Sequence, residues 1–277
     1  MNLVIDTNQI GKLPSTDEVL SLFPNYQGIA LPGLVVAEIL LSKKRQEWFE
    51  TLASFELRFG KFLSVMNEEL AALDENGIRE FVPFEPANTD LGRGFQRILA
   101  SQPVELIEGA RKQKANSLSL LTKLIPDAQM FRKHLNDLRS QGDWVGPQKF
   151  SGIDHVLQCV GNGPQSFLGD CILKGISNGG TRDLRVCSDE LLFNAVLGNR
   201  FLSRYFKVLL YYFISISRLW ADQRHNFDPS SDRNDVTDIS LALYLDDGDT
   251  LLTRDTKVQR ALEMISPSIQ VTSFEEV

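Results

Sequence analysis

The sequence predicts an α/β fold: a small parallel sheet assembled from both ends of the chain, plus a large, mainly α-helical insertion. Three observations predict it. A short apolar run at residues 2–5, Asn-Leu-Val-Ile, has the character of a buried parallel strand and ends directly on Asp6. Strand and helix patterns alternate through residues 1–45 and again through 230–277, the arrangement that builds parallel sheets. Residues 46–229 instead carry helical periodicity.

The elements follow in order. After Pro14, Ser15 has the position of an N-cap, and Glu18 stands three residues on at the capping-box spacing, so a helix is predicted over Ser15 to Phe23. Gly28 to Leu31 forms the second strand. Pro32 then sits where a helix begins, and Val35, Val36, Ile39 and Leu40 continue it. Beyond residue 45, Trp48, Phe49, Leu52, Phe55, Phe59 and Phe62 mark one long helix or a pair. Further helices are predicted near 92–100, 105–124, 127–140, 165–176 and 189–222. Breaks are expected at Phe84 to Pro86, Gly142 to Pro147, Gly161 to Pro164 and Asn178 to Gly180. The α/β pattern returns after the turn-rich Asp228 to Asp232. A helix is expected over Asn234 to Leu245, with Val236, Ile239 and Leu243 on one face and Gly248 beyond its end. Thr250 to Thr253 then reads as a strand, Asp255 to Met264 as a helix and Ser268 to Thr272 as a last strand.

Composition narrows the function classes. The 277 residues suffice for one large domain or two modest ones, and an apolar fraction of 43% is too high for disorder. The chain holds 3 cysteines with no CxxC spacing and 3 histidines with no paired ligand spacing, which argues against a zinc site or a disulfide framework. No basic stretch leads into an apolar signal core, and a cytoplasmic location is expected. The longest apolar segment, Val208 to Ser217, is far short of the roughly twenty residues a bilayer span needs, so it reads as a buried helix and no membrane partner is expected. A net charge of −7 argues against a broad, sequence-blind grip on nucleic acid, though not against a nuclease, and any RNA-binding surface is expected to be local.

The chemistry lies in carboxylates. Asp6 follows the first strand, at the sheet edge where open parallel sheets bind ligands; Asp-Thr-Asn is equally the chemistry of a turn leaving a sheet. Asn8 is placed to orient Asp6. Glu38 stands alone in the apolar run Leu34 to Leu41. Such a carboxylate either serves a polar site, pairs with Lys43, Lys44 or Arg45, or lies on an exposed helical strip. Asp235 and Asp238, three residues apart, share one helical face, though acids in a first turn also stabilise a helix or cap it. Asp255 begins a helix just after a strand, as an N-cap or as a ligand, and Thr253 is positioned to support it. If the sheet brings these strand ends to one edge, the acids repel one another until a cation fills the gap. Hard oxygen donors suit Mg²⁺ or Mn²⁺; one ion can activate water and a second can stabilise the leaving oxygen.

These residues resemble the PIN nuclease family. Leu-Val-Ile-Asp6-Thr-Asn8 looks like its first motif, and Leu31-Pro-Gly-Leu-Val-Val-Ala-Glu38 like its second. Asn234-Asp235-Val-Thr-Asp238-Ile looks like its third, and Asp249-Thr-Leu-Leu-Thr253-Arg-Asp255 like its fourth. The resemblance covers about a third of the chain. It implies a Rossmann-like PIN domain from residues 1–45 and 230–277, with 46–229 as a helical insertion that many members lack. It further implies a metal-dependent endoribonuclease in which Asp6, Glu38, Asp235 and Asp255 bind one or two Mg²⁺ or Mn²⁺ ions. Asp238 would be an additional catalytic acid, with Asn8 and Thr253 supporting. RNA is the implied substrate, an antitoxin or regulatory protein the implied partner, and a homo-oligomer an allowed state. Such a nuclease would act as a toxin or defence effector.

Two other classes compete. One is an inactive PIN-like scaffold that binds RNA or protein. The other is a phosphatase or receiver domain. A haloacid-dehalogenase-like phosphatase would want an acid where Asn8 stands, and a receiver an acid where Ile5 precedes Asp6. Neither a nucleophile elbow near Ser188 and His155 nor a phosphate-binding glycine loop is present.

Overall fold

The computed structural model describes residues 2–26, 28–61, 84, 104–143, 146–160, 200–228 and 238–274. The chain separates into two compact units. One comprises Met1–Met66, Val82–Asn116 and Thr237–Val277, the other Asn67–Phe81 and Ser117–Val236.

The first unit holds a five-stranded sheet in which every pairing is parallel. Its strands are β1 (Leu3–Ile5), β2 (Ile29–Leu31), β3 (Leu57–Phe59), β4 (Thr250–Leu252) and β5 (Gln270–Thr272), in the order β3-β2-β1-β4-β5. The order runs outward from β1 in both directions, an arrangement compatible with a Rossmann-like fold. β1, β2 and β4 are buried at every residue, as expected of central strands covered on both faces. Helices α1 (Thr7–Ile10), α2 (Thr16–Leu22), α3 (Gly33–Leu41) and α4 (Arg45–Leu52) fill the connections among the first three strands. The backbone N–H of Glu18 donates to Ser15 Oγ, so α2 starts at the predicted cap. α3 is buried at Gly33 to Ala37, Ile39 and Leu40, and a helix apolar nearly all round belongs inside a core.

Beyond these lie α5 (Val104–Gln141), α6 (Ile153–Val160), α7 (Arg200–Ile216) and α8 (Thr256–Ile265), the last of which joins β4 to β5. In the second unit, Val208 to Ile214 of α7 are all buried. Trp220 Nε1 donates to Ser215 Oγ, and the Tyr211 hydroxyl meets His225 Nδ1 at 3.0 Å, so the polar tips of this aromatic core are satisfied. Among the described residues no helix is long and apolar enough to cross a membrane.

Several expectations change. The helix predicted from Trp48 toward Phe62 ends at Leu52, and Leu57–Phe59 pairs with β2 instead, Ile29 opposite Leu57 and Leu31 opposite Phe59. Phe55, Phe59 and Phe62 fit a helical spacing, but so short a run does not separate helix from strand, and an open edge of β2 decides it. The helices expected over 105–124 and 127–140 form one, with Pro126 inside. The missing N–H removes a single hydrogen bond from a long helix whose buried Ala128, Phe131 and Leu135 keep one stripe beyond it. α6 forms where no element is predicted. Of the helix expected over Asn234 to Leu245, the described part is a turn of helix at Asp238 and Ile239 followed by a 3₁₀ turn, Ser240–Tyr244. Ile239 to Leu245 are all buried, so this segment has no polar face. The stretches predicted at 92–100 and 165–176 lie outside the described residues.

β3 is tied to the head of α3 through Gly60, whose N–H donates to Leu31 O at 2.7 Å. A Cβ at Gly60 would lie 2.8 Å from Gly33 N, 2.9 Å from Pro32 Cα and 2.9 Å from Tyr244 Cε1. Two of these neighbours are backbone and cannot swing away. Gly60→Ala is therefore expected to cost about 1–3 kcal/mol by overpacking. Urea denaturation measures it, and an unchanged midpoint would contradict the close approach.

Candidate active site at the carboxyl edge of the sheet

Strands β1 and β4 are neighbours, yet the chain leaves the sheet in opposite directions from them, toward β2 and toward β5. At such a switch point the crevice past the carboxyl ends of the strands is open to ligands. Leu3, Val4 and Ile5 lie opposite Thr250, Leu251 and Leu252, and the Asp6 N–H donates to Leu252 O at 3.0 Å. The next residue of each strand is therefore Asp6 on one side and Thr253 on the other.

Their side chains meet. Thr253 Oγ1 donates to Asp6 Oδ2 at 2.6 Å, and Asn8 Nδ2 donates to the same oxygen at 2.6 Å. Asn8 Nδ2 also lies 3.2 Å from Thr253 Oγ1, while Asn8 Oδ1 accepts from the Arg254 backbone N–H at 3.2 Å. Asp6 occupies the N-cap position of α1 but makes no capping bond with its side chain. Its carboxylate instead joins Thr253 at the end of β4 to the side chains of Thr7 and Asn8 in α1.

Glu38 reaches the same place from α3. Thr7 Oγ1 lies 2.6 Å from Glu38 Oε2 and 3.2 Å from Asp6 Oδ1. A hydroxyl has one proton, and the shorter contact takes it, so Thr7 holds Glu38 firmly and touches Asp6 weakly. Among the described residues Glu38 forms no ion pair with Lys43, Lys44 or Arg45. It is half-buried in a helix with almost no solvent face, which removes both the salt-bridge and the exposed-strip readings.

Asp255 is the N-cap of α8: its Oδ1 accepts from Lys257 N at 2.7 Å and from Val258 N at 3.2 Å. Its own N–H donates to Thr253 Oγ1 at 3.0 Å, which joins it to the Asp6 network. Cap and site membership therefore coexist, and Oδ2 takes no part in the cap. Asp238 lies in the helical segment before β4 and is half-buried there. Asp235 lies outside the described residues.

Two participants are absent from the sequence-predicted set. Thr7 bridges Asp6 and Glu38; its only signal is its place inside Asp-Thr-Asn. Gln9 is fully buried, donates to Asn8 Oδ1 at 3.2 Å and accepts from Phe274 N at 3.3 Å, fixing Asn8 from behind.

The electrostatics are those of crowded acids. Burial pushes the Asp6 carboxyl above its usual range, hydrogen bonds from Thr253 and Thr7 oppose that, and the charge of Asp255 adds to it. Burial likewise raises Glu38, with Thr7 opposing, Asp6 adding and Lys114 opposing. Among the described residues no group of three or more acidic, histidine or cysteine side chains is close enough to hold a metal ion by itself. The donors present still fit one class of ion. They are hard oxygens, and Mg²⁺ is commonly held through one or two carboxylates while keeping several waters. Zinc, which wants nitrogen or sulfur ligands, fits poorly.

Comparison of the chain with protein-family models, with curated proteins and with solved structures finds no match.

The raised carboxyls link stability to pH. A carboxyl whose folded pKa exceeds its unfolded value stabilises the fold fully below the ordinary carboxylate range, and that contribution is lost as pH rises through the folded value. At neutral pH Asp6 and Glu38 therefore count against the metal-free fold. In Asp6→Asn the amide oxygen can still accept from Asn8 and Thr253, and its NH₂ faces the Thr7 oxygen. The variant is expected to melt roughly a few degrees higher than the wild type at neutral pH in EDTA, and the gap should close in acid. Thermal melts across pH measure this; a lower neutral melting point would refute the charge assignment.

Proposed function

We propose that the chain is a metal-dependent endonuclease of the PIN type, acting on RNA. The observation that carries the reading is the hydrogen-bonded network at the carboxyl edge of the sheet, in which Thr7 links Glu38 to Asp6 and Thr253 links Asp6 to the backbone of Asp255. The four PIN-like segments quoted above supply the motif order, and the sheet order is compatible with that family's fold.

In this reading Asp6, Glu38 and Asp255 hold Mg²⁺ or Mn²⁺, with Asp235 as a further ligand and Asp238 as an assisting acid. The ions supply Lewis acidity, lowering the pKa of water and balancing charge on the phosphodiester. The chain's own part is positioning. Thr253 and Asn8 occupy Asp6 Oδ2, and Thr7 occupies Glu38 Oε2, which fixes both carboxylates and leaves Glu38 Oε1 as an acceptor. Asn8 is exposed while Thr253 is fully buried, so one side of the network meets solvent and substrate and the other meets the core. In-line attack by water would leave 5′-phosphate and 3′-hydroxyl ends. A toxin or defence role, with an antitoxin or regulatory partner, follows from the same reading.

A second reading, a non-cleaving scaffold, is favoured by a specific observation. Among the described residues fewer than three ligands come together, and Asp255 already commits one oxygen to a helix cap.

Purified protein incubated with total RNA and Mn²⁺ separates the two. Cleavage dependent on Mn²⁺ is expected, with 5′-phosphate ends, and Asp6→Asn should abolish it while remaining folded. Turnover unchanged in Asp6→Asn, or no cleavage by the wild type, would sink the nuclease reading. Thr253→Val keeps the shape but loses the bond that orients Asp6. It is expected to lower activity by about 10–100-fold, the usual cost of losing a partner of a ligand. Wild-type rates in that variant would show that Asp6 needs no such support.

A further inference from the structure

Within the first unit, a groove of about 380 Å³ opens where the end of α3 and the start of α4 face the first turns of α5. Leu40 and Ile107 contribute apolar surface, and Lys43, Arg45 and Arg111 contribute positive charge. Among the described residues no carboxylate lines it. Lys43 and Arg111 are exposed, and Arg45 is half-buried. The Arg45 guanidinium makes one long contact, 3.4 Å to Leu40 O, and among the described residues no acid pairs with Lys43, Arg45 or Arg111. In a chain of net charge −7, three cations gathered from two segments with no acid paired to them among the described residues stand out.

The groove is continuous in sequence with the acidic site. Glu38 lies one turn before Leu41 on α3. Lys114 follows Arg111 by three residues and so shares its face of α5. Its positive charge also reaches Glu38.

We propose that this groove binds the phosphodiester backbone of the nucleic-acid strand, with Lys43, Arg45 and Arg111 on its phosphates and Lys114 leading toward Glu38. Cations spread along an open groove, two exposed and one half-buried, suit a polyanion rather than one enclosed anion, and the apolar lining suits sugar or base faces. The identity of the polyanion rests on the nuclease reading; its charge does not.

The test is binding of a labelled polyuridine strand in EDTA across a salt series, comparing wild type with the double variant Lys43→Gln/Arg111→Gln. Both side chains are exposed, and a matching thermal midpoint checks that the fold is kept. The variant should bind roughly tenfold more weakly, and the slope of log affinity against log salt should fall by about 1.4, some 0.7 for each lost phosphate contact on a single strand. Lys43→Arg/Arg111→Lys, which keeps both charges, should restore binding. The proposal is overturned if the wild type does not bind RNA, if the double variant keeps wild-type affinity and slope, or if poly-glutamate occupies the groove in preference to RNA. Groove-dependent RNA binding without Mn²⁺-dependent cleavage would support the groove and sink the nuclease reading alone. Cleavage with groove-independent binding would do the reverse.

Discussion

The parallel pairing of β1 with β4 is the constraint on which the rest of the site depends. It joins segments almost the full length of the chain apart, and its register decides that Asp6 faces Thr253. A slip of one residue would turn Asp6 to the other face of the sheet. The register is held at both edges. At the amino edge, the buried carboxylate of Asp249 accepts from the Asn2 backbone N–H at 2.6 Å and from the Asp246 N–H at 2.8 Å, while Arg58 on β3 donates to Asn2 Oδ1 at 2.9 Å. At the carboxyl edge, the Asp6 N–H bonds Leu252 O and the Asp6 side chain bonds Thr253. The first edge is structural and acid-bearing; the second is where acids stand close enough to do chemistry.

That closeness has an energetic consequence. Asp249 is a buried acid whose hydrogen bonds come from backbone and amide N–H groups. Asp6 and Glu38, by contrast, are raised chiefly by burial and further by a neighbouring acid, Asp255 for Asp6 and Asp6 for Glu38, with hydroxyl donors opposing. Hydroxyls orient a carboxylate without neutralising it. The arrangement holds two acids in place at the expense of stability at neutral pH, the trade that the proposed cation site would require.

How much of this was legible in the sequence depended on the range of the interaction. Asp6 and Asp255 stood out because a buried strand is an apolar run, and the polar residue ending it is conspicuous. Glu38 stood out for the same reason inside α3. Their supports did not. Thr7 becomes a bridge only because α1 packs against α3, and Gln9 only because Phe274 returns from the far end of the chain. Leu57–Phe59 is too short for its alternation to compete with the helical spacing of the surrounding phenylalanines, so the edge strand emerges only from pairing with β2. The segment Ser240–Tyr244 reads as the end of an amphipathic helix, but its 3₁₀ winding and its burial on every side leave no mark in the apolar spacing.

The proposed nuclease chemistry requires a divalent-cation site at Asp6 and Glu38. Its most direct measurement is calorimetric titration of Mn²⁺ into the metal-free protein below neutral pH, in two buffers of different ionisation enthalpy, alongside Asp6→Asn. Carboxyls held above their usual range should lose protons as the ion binds. The wild type should therefore bind Mn²⁺ with an apparent heat that depends on the buffer, and Asp6→Asn should lose most of the binding. No Mn²⁺ binding by the wild type at millimolar metal, or equal binding by Asp6→Asn, would contradict the claim.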